Sequence, residues 1–270
     1  MKKDTRQHID SGLAAESLVD RKVIAGTGGP EILLLPDLWL IAVGGSVFDA
    51  GADPLKKLAG AVVDLVHDHE IAISCGGGVR ERHTLKIGLG LGLPTGGLAT
   101  VAGSVPEQNA LIFWALLTES GGVRLPKAQL EMLPTMLALK RIPVLTSNPP
   151  YEYWEFPPVH GSLPPHGCDC GALLLAETLG CRLLLLKDVQ GICSDDPKHN
   201  SDAGLIDRVD AKLLASGAPD TLPLEPAFAG LLANCRRVGE IRLINGLNPA
   251  PLERCLAGEP VGTLIETVRA

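Results

Sequence analysis

Aromatic side chains are scarce in this 270-residue chain: four Phe, three Trp and two Tyr, 3% of the sequence. A core drawn from such a composition must be aliphatic, filled by Leu, Val, Ile and Ala. A basic excess is also lacking. Lys and Arg total 24 against 31 Asp and Glu, for a formal net charge of -7. That speaks against nucleic-acid or membrane-surface binding, which rests on a broad positive field. No run of about 18 apolar residues is present, so no membrane-spanning helix is expected. The N-terminus, Met1 to His8, is polar with no apolar signal core behind it, and the cytoplasm is the expected compartment. The seven cysteines are odd in number and scattered. In a chain too large to need stapling, reduced thiols are the default.

Glycine, by contrast, is plentiful, with 31 residues, and 46% of the chain is hydrophobic. That supports a sizeable core in one large α/β domain or two small ones. Residues 1–30, with Gly26-Thr27-Gly28-Gly29-Pro30, show little periodicity and are expected to form an N-terminal arm. Residues 31–270 show no internal repeat and no domain boundary, and read as a single domain. Strands are expected at Leu38–Val43, Ile71–Ser74, Ile142–Thr146, Leu183–Leu186, Glu240–Ile244 and Gly262–Glu266. Helices are expected over Pro54–Asp68, where Leu55, Leu58, Ala59, Val62, Leu65 and Val66 share a face, and over Val79–Leu91, Glu107–Glu119, Asp169–Leu179, Glu225–Arg237 and Pro251–Ala257. Lys127–Leu139 reads as helical with a break at Pro134. Pro149–Pro165 is a long proline-rich loop carrying Tyr151, Tyr153, Trp154 and Phe156, of the kind that is usually functional or an interface. Strands alternating with helices predict a mainly parallel sheet covered on both faces.

Three strand ends carry the chemistry. Gly44-Gly45-Ser46 follows the first strand and Gly76-Gly77-Gly78 the second. Lys187-Asp188-Val189-Gln190-Gly191 follows Leu183–Leu186. Glycine lets backbone N–H groups approach an anion, and a following helix adds its positive dipole end. Such loops at the ends of parallel strands make a pocket suited to a nucleotide's phosphates. Arg80 and Arg82 could join the second loop by bidentate hydrogen bonding. The bland readings are a tight turn at Gly44-Gly45, and a solvated helical turn whose arginines pair with Glu81 or other surface acids. Lys187, Asp188, Gly191, Asp196 and Pro197 could bracket a base and ribose, or form a surface turn. In His166-Gly167-Cys168-Asp169-Cys170, Asp169 is placed to cap the next helix. Cys168 and Cys170 beside a histidine suggest a soft metal site or a redox pair, or else buried inert thiols.

The order of these features resembles the amino acid kinase superfamily: a strand–GG loop, a strand–GGG loop, an Asp at a helix start, then Lys187-Asp188-x-x-Gly191-x-x-x-x-Asp196-Pro197. Further stretches are similar to the molybdenum storage proteins, relatives of uridylate kinase. They are Gly78-Val79-Arg80-Glu81-Arg82-His83 with Gly90-Leu91-Gly92-Leu93-Pro94, Pro149-Pro150-Tyr151 with Glu155-Phe156-Pro157, Pro164-Pro165-His166, Asn245-Gly246-Leu247, and Gly258-Glu259-Pro260-Val261-Gly262-Thr263. The resemblance spans Leu38 to Glu266. It implies a three-layer αβα sandwich, homologous or identical subunits in a hexameric cage, bound ATP with Mg2+, and molybdate or tungstate packed as oxide clusters. Gly44, Gly45, Ser46, Gly76, Gly77, Gly78 and Arg80 would hold phosphates. Asp169 would orient the phosphate-side machinery or a magnesium ion. His160, His166, Cys168 and Cys170 would face metal or oxometalate.

Three departures stand out. The superfamily's Lys-x-Gly-Gly lysine is Ala42 here, so phosphoryl transfer should be weakened or lost unless Arg80, Arg82 or Lys187 substitutes. Tyr151-Glu152-Tyr153-Trp154-Glu155 carries no histidine where cluster-binding loops can be rich in it. Cys168 and Cys170 flank Asp169, where relatives usually carry no thiols. Two other functions therefore stay open: a kinase of a small acid or nucleotide, and a non-catalytic structural or regulatory subunit.

Overall fold

The computed structural model describes residues 33–147, 167–196, 199–200, 202–211, 214, 222–233 and 235–266. The expected N-terminal arm and the proline-rich stretch from 149 to 165 lie outside the described residues. Eight described strands form one sheet: β1 (Trp39–Val43), β2 (Ile71–Cys75), β3 (Gly122–Arg124), β4 (Ile142–Thr146), β5 (Arg182–Lys187), β6 (Arg208–Asp210), β7 (Ile241–Asn245) and β8 (Thr263–Glu266). Their spatial order is β3-β4-β2-β1-β5-β7-β8-β6. From β3 to β7 every pairing is parallel. β8 reverses against β7, and β6 runs parallel to β8.

The central strands are buried along their whole length, as continuous apolar runs in a doubly covered sheet should be. Side chains alternate between the faces. Leu38, Leu40 and Ala42 join one apolar cluster, whereas Trp39, Ile41 and Val43 join the other. The described α-helices are α1 (Gly45–Asp49), α2 (Ala52–Leu65), α3 (Val79–Gly90), α4 (Thr95–Leu117), α5 (Leu133–Ala138), α6 (Cys168–Leu179), α7 (Phe228–Leu232) and α8 (Ala250–Leu256). α2, α4 and α8 feed the Trp39 cluster, and α5, α6 and α7 the Leu40 cluster. The result is an αβα sandwich with a mainly parallel sheet. α2 shows why a helix covers the sheet there: Leu55, Leu58, Ala59 and Val62 are buried at i, i+3, i+4, i+7 spacing. Each such leucine contributes about 1.5–3 kcal/mol of burial.

Several elements differ from the sequence expectation. α4 starts at Thr95, twelve residues before the expected Glu107, and runs through Pro106. Its first turns are rich in glycine, which propensity alone marks as non-helical, yet Leu98, Ala102 and Val105 are buried, so packing overrides propensity. The expected helix 225–237 contracts to α7, Phe228–Leu232. Lys127–Leu139 divides into a 3-10 turn, Lys127–Met132, and α5, with Pro134 in the first turn of α5, where its missing N–H costs nothing. The three-residue strands β3 and β6 are too short for a period-two pattern to reveal. No helix among the described residues is long and apolar enough to cross a membrane.

Candidate functional site

Because β1, β2, β4, β5 and β7 are parallel, Val43, Cys75, Thr146, Lys187 and Asn245 end on one edge of the sheet. Ligands of open α/β sheets bind outside such carboxyl ends. The two glycine loops meet there. Gly44 N–H donates to the Leu186 carbonyl and Gly76 N–H to the Val43 carbonyl, both at 2.9 Å. These two amides extend the sheet, so their glycines serve close approach. A Cβ on Gly44 would lie 2.6 Å from the Leu186 carbonyl oxygen, and one on Gly45 would run into the Gly78 backbone. Gly78 has φ +72 and opens α3; a Cβ there would strike the Asp49 carboxylate. Ser46, in the first turn of α1, has a buried hydroxyl without a hydrogen-bond partner among the described residues. A cradle closed to side chains, with an orphaned hydroxyl on its rim, fits an anionic ligand.

Carboxylates of the chain itself already occupy the helix starts on this edge. Asp49 Oδ2 accepts from Val79 N–H at 3.0 Å, at the start of α3. Glu225 accepts from Gly167, Asp169 and Cys170 N–H at 2.8, 3.0 and 3.1 Å, at the start of α6. Both placements favour a negative charge at a positive helix end. They also correct one expectation. Asp169 does not cap α6: Gly167 holds the N-cap position and no side chain of its own caps the helix. Asp169 sits two residues further in and turns to Lys187, so the distant Glu225 satisfies the orphan donors instead.

Lys187 Nζ donates to both Asp169 carboxylate oxygens at 2.6 Å. Burial pushes the Asp169 carboxyl above its ordinary value, and the Lys187 ammonium opposes that shift. Glu81 turns inward and does not pair with Arg80. Its Oε2 lies 3.7 Å from Cys168 Sγ. Burial, then the facing Glu225 carboxylate, push Glu81 from its ordinary 4.5 to about 7. Burial and the same acids hold the Cys168 thiol well above its ordinary value, so at neutral pH it is not the thiolate a soft metal prefers.

The structure brings together Gly44, Gly45, Ser46, Gly76, Gly77 and Gly78, with Arg80 beside them in the first turn of α3, and pairs Asp169 with Lys187. Cys168 is half-buried against Gly76, whose added Cβ would lie 3.5 Å from the Cys168 Cβ. Cys170 is fully buried in the Leu40 cluster. Asp188 follows Lys187, half-buried. Gly191 packs on Thr263 and Leu205, toward the β8–β6 end of the sheet. The Asp196 carbonyl accepts from His199 and Asn200 N–H in a turn. Pro197, His160 and His166 lie outside the described residues. Among the described residues, no group of three or more His, Cys, Asp or Glu is placed to hold a metal ion, and all seven cysteines are free thiols.

Sequence reasoning missed Asp49, Glu225 and Asn109. Glu225 gives no local signal, because it acts across 56 residues on Asp169. Asn109 had one: it is a polar residue inside the otherwise apolar inner stripe of α4.

Comparison with known proteins agrees with this fold. The amino acid kinase family matches residues 37–238, and the chain belongs to that family. Within it, the chain is 37% identical to the molybdenum storage protein subunit beta of Azotobacter vinelandii, over 95% of this chain and 96% of that one. It is 24% identical to the uridylate kinase of Methanococcoides burtonii over 84% of its length and 94% of the relative's. Among solved structures, uridylate kinase from Archaeoglobus fulgidus shares the fold with a TM-score of 0.65 at 20% identity, covering 84% of this chain and 99% of that one.

Proposed function

We propose that this chain is a subunit of a molybdenum or tungsten store that binds ATP and assembles with homologous or identical subunits into a hexameric cage around oxometalate clusters, with phosphoryl transfer weakened or lost. The observation that carries this reading is the 37% identity, along nearly the full length of both chains, to a molybdenum storage protein subunit. The glycine cradle supports the ATP part. Gly45, Gly77 and Gly78 form its floor, Ser46 offers a hydroxyl, and Arg80 brings the cation. Lys187 and Asp188 lie at the adjoining strand end, and Gly191, Asp196 and Pro197, which follow in sequence, are the candidates for the base and ribose. Magnesium would travel with the nucleotide's phosphates, since both oxygens of Asp169 are engaged by Lys187. Bound ATP supplies a phosphoryl group and its charge; this chain's own residues hold and orient it. His160, His166, Cys168 and Cys170 are the oxometalate-side candidates. Ala42 is the ground for weakened transfer: it is 6% exposed and lies in the Leu40 cluster, so nothing at that position delivers a positive charge to a phosphate.

A second reading, a kinase of a small acid or nucleotide, draws on Lys187. Its ammonium sits at the end of β5 beside the glycine loops, where it could stand in for the missing lysine.

Elemental analysis by plasma mass spectrometry, with nucleotide extraction, on protein from its native host separates these readings. Many molybdenum or tungsten atoms per chain together with ATP are expected. Nucleotide without metal would favour the kinase or a regulatory subunit, and neither would leave a scaffold.

A further inference from the structure

Asn109 is fully buried on the inner face of α4. Its neighbours along that face, Ala110, Phe113 and Leu117, belong to the Trp39 cluster. A primary amide in such a place costs free energy unless its polar atoms are paired. Here they are paired to the candidate site. Nδ2 donates to the Gly76 carbonyl at 2.6 Å and approaches the Gly77 carbonyl at 3.4 Å. Oδ1 accepts from Arg80 Nη2. The adjacent Gln108 accepts from Arg80 Nη1 at 3.3 Å.

The loop geometry that follows is forced. In a trans peptide unit the C=O and the next N–H point opposite ways. Drawing the Gly76 and Gly77 carbonyls onto Asn109 therefore turns the Gly77 and Gly78 amides away from α4. They face what lies on the other side: Gly77 N–H acts on Glu81 and Cys168, and Gly78 N is the atom a Cβ on Gly45 would strike. The same side chain fixes the plane of the Arg80 fork. Two guanidinium nitrogens are bound to α4, leaving the fork's orientation set before any ligand arrives.

We propose that Asn109 is the positioning residue of this site, holding the Arg80 guanidinium and the backbone of the Gly76-Gly77-Gly78 loop in one fixed arrangement for the oxygens of a phosphate or an oxometalate. This rests on the oxyanion-binding reading of the glycine cradle given above. A structural brace alone would stabilise α4 against the loop without favouring charged ligands over neutral ones.

The test is calorimetric binding of ATP, adenosine and molybdate, each separately, to the full-length assembled protein and its Asn109→Ala, Asn109→Ser, Arg80→Ala and Arg80→Ala/Asn109→Ala variants. Asn109→Ser keeps a small polar group and serves if the alanine variant does not fold. Loss of a hydrogen bond to a charged group should weaken ATP binding by about tenfold or more, while adenosine stays within about twofold. The double variant should lose less than the product of the two single losses, because Asn109 acts through Arg80. Weakening confined to ATP assigns the constellation to nucleotide phosphate; weakening confined to molybdate assigns it to oxometalate. Equal loss of ATP and adenosine, or unchanged ATP and molybdate binding in both Asn109 variants, overturns the inference alone. A wild-type protein that binds neither ATP nor molybdate overturns the functional reading, and the inference falls with it.

Discussion

Lys187 reaches both carboxylate oxygens of Asp169 at 2.6 Å, tying the end of β5 to the first turn of α6 with side chains only 14% and 10% exposed. Removing one partner of a buried pair strands the other charge away from water. Lys187→Met is expected to lower stability by about 3–5 kcal/mol. The double variant Lys187→Met/Asp169→Asn should recover most of that loss, since no charge remains unpaired. Urea denaturation of the wild type, both single variants and the double variant checks this, and strictly additive losses would disprove the coupling.

Glu81 makes stability depend on pH. Its folded value near 7 exceeds the ordinary 4.5, so between those limits the folded state holds the extra proton. The stabilisation is full below about 4.5 and is lost as pH rises through 7. Glu81→Gln keeps the shape and removes the titration. Its melting temperature relative to wild type should therefore rise more at pH 8 than at pH 5. Equal differences at the two pH values would show that Glu81 titrates normally.

Gly45 and Gly60 should respond oppositely to alanine. At Gly45 a Cβ meets the Gly78 backbone, whereas at Gly60, exposed on α2, it meets nothing within 4 Å. Gly60→Ala should stabilise by about 0.5–1 kcal/mol through helix propensity. Gly45→Ala should destabilise by about 1–3 kcal/mol as the loops are forced apart, and should weaken ATP binding. Thermal melts of the pair, with ATP titrations, decide the matter; a neutral Gly45→Ala would mean the loops do not touch.

Ala42→Lys restores the charge that the family's phosphate loop carries. Ala42 is buried against the α6 side of the sheet, so the longer chain should cost about 1–3 kcal/mol by overpacking. If the remaining machinery is intact, ATP hydrolysis should rise above that of the wild type. Phosphate release assays read the gain, and a folded variant with no gain would argue for a scaffold.

Most of the sheet was legible because its strands are buried on both faces and so read as unbroken aliphatic runs, as at residues 40–43 and 183–186. The glycine loops were legible for a related reason: backbone touching backbone tolerates no Cβ, and that requirement is written directly as Gly44-Gly45 and Gly76-Gly77-Gly78. The start of α4 was not legible, because packing of Leu98, Ala102 and Val105 outweighs the glycines around them. The caps were hidden for another reason. A helix start can be satisfied by any carboxylate that folding carries to it. Asp169 stands where local rules place a cap, yet Lys187 claims it, and Glu225 arrives from a segment that has no sequence relation to α6. The same holds for Asn109 and Arg80, which meet only because α3 and α4 pack side by side.

Asp49 and Glu225 occupy the starts of α3 and α6, and Glu81 lies against the Gly77 amide between them. An oxyanion bound here as proposed would therefore meet seats that already hold negative charge, and its binding would be an exchange rather than a capture. Glu81, raised to about 7, would be discharged by drawing a proton from solvent as such an anion settled beside it. Uptake of a phosphate or oxometalate at pH 7 should then carry a proton with it, seen as a binding heat that scales with the ionisation enthalpy of the buffer; a buffer-independent heat would exclude this. On the storage reading proposed above, each anion would then enter as acid, offsetting part of its own charge.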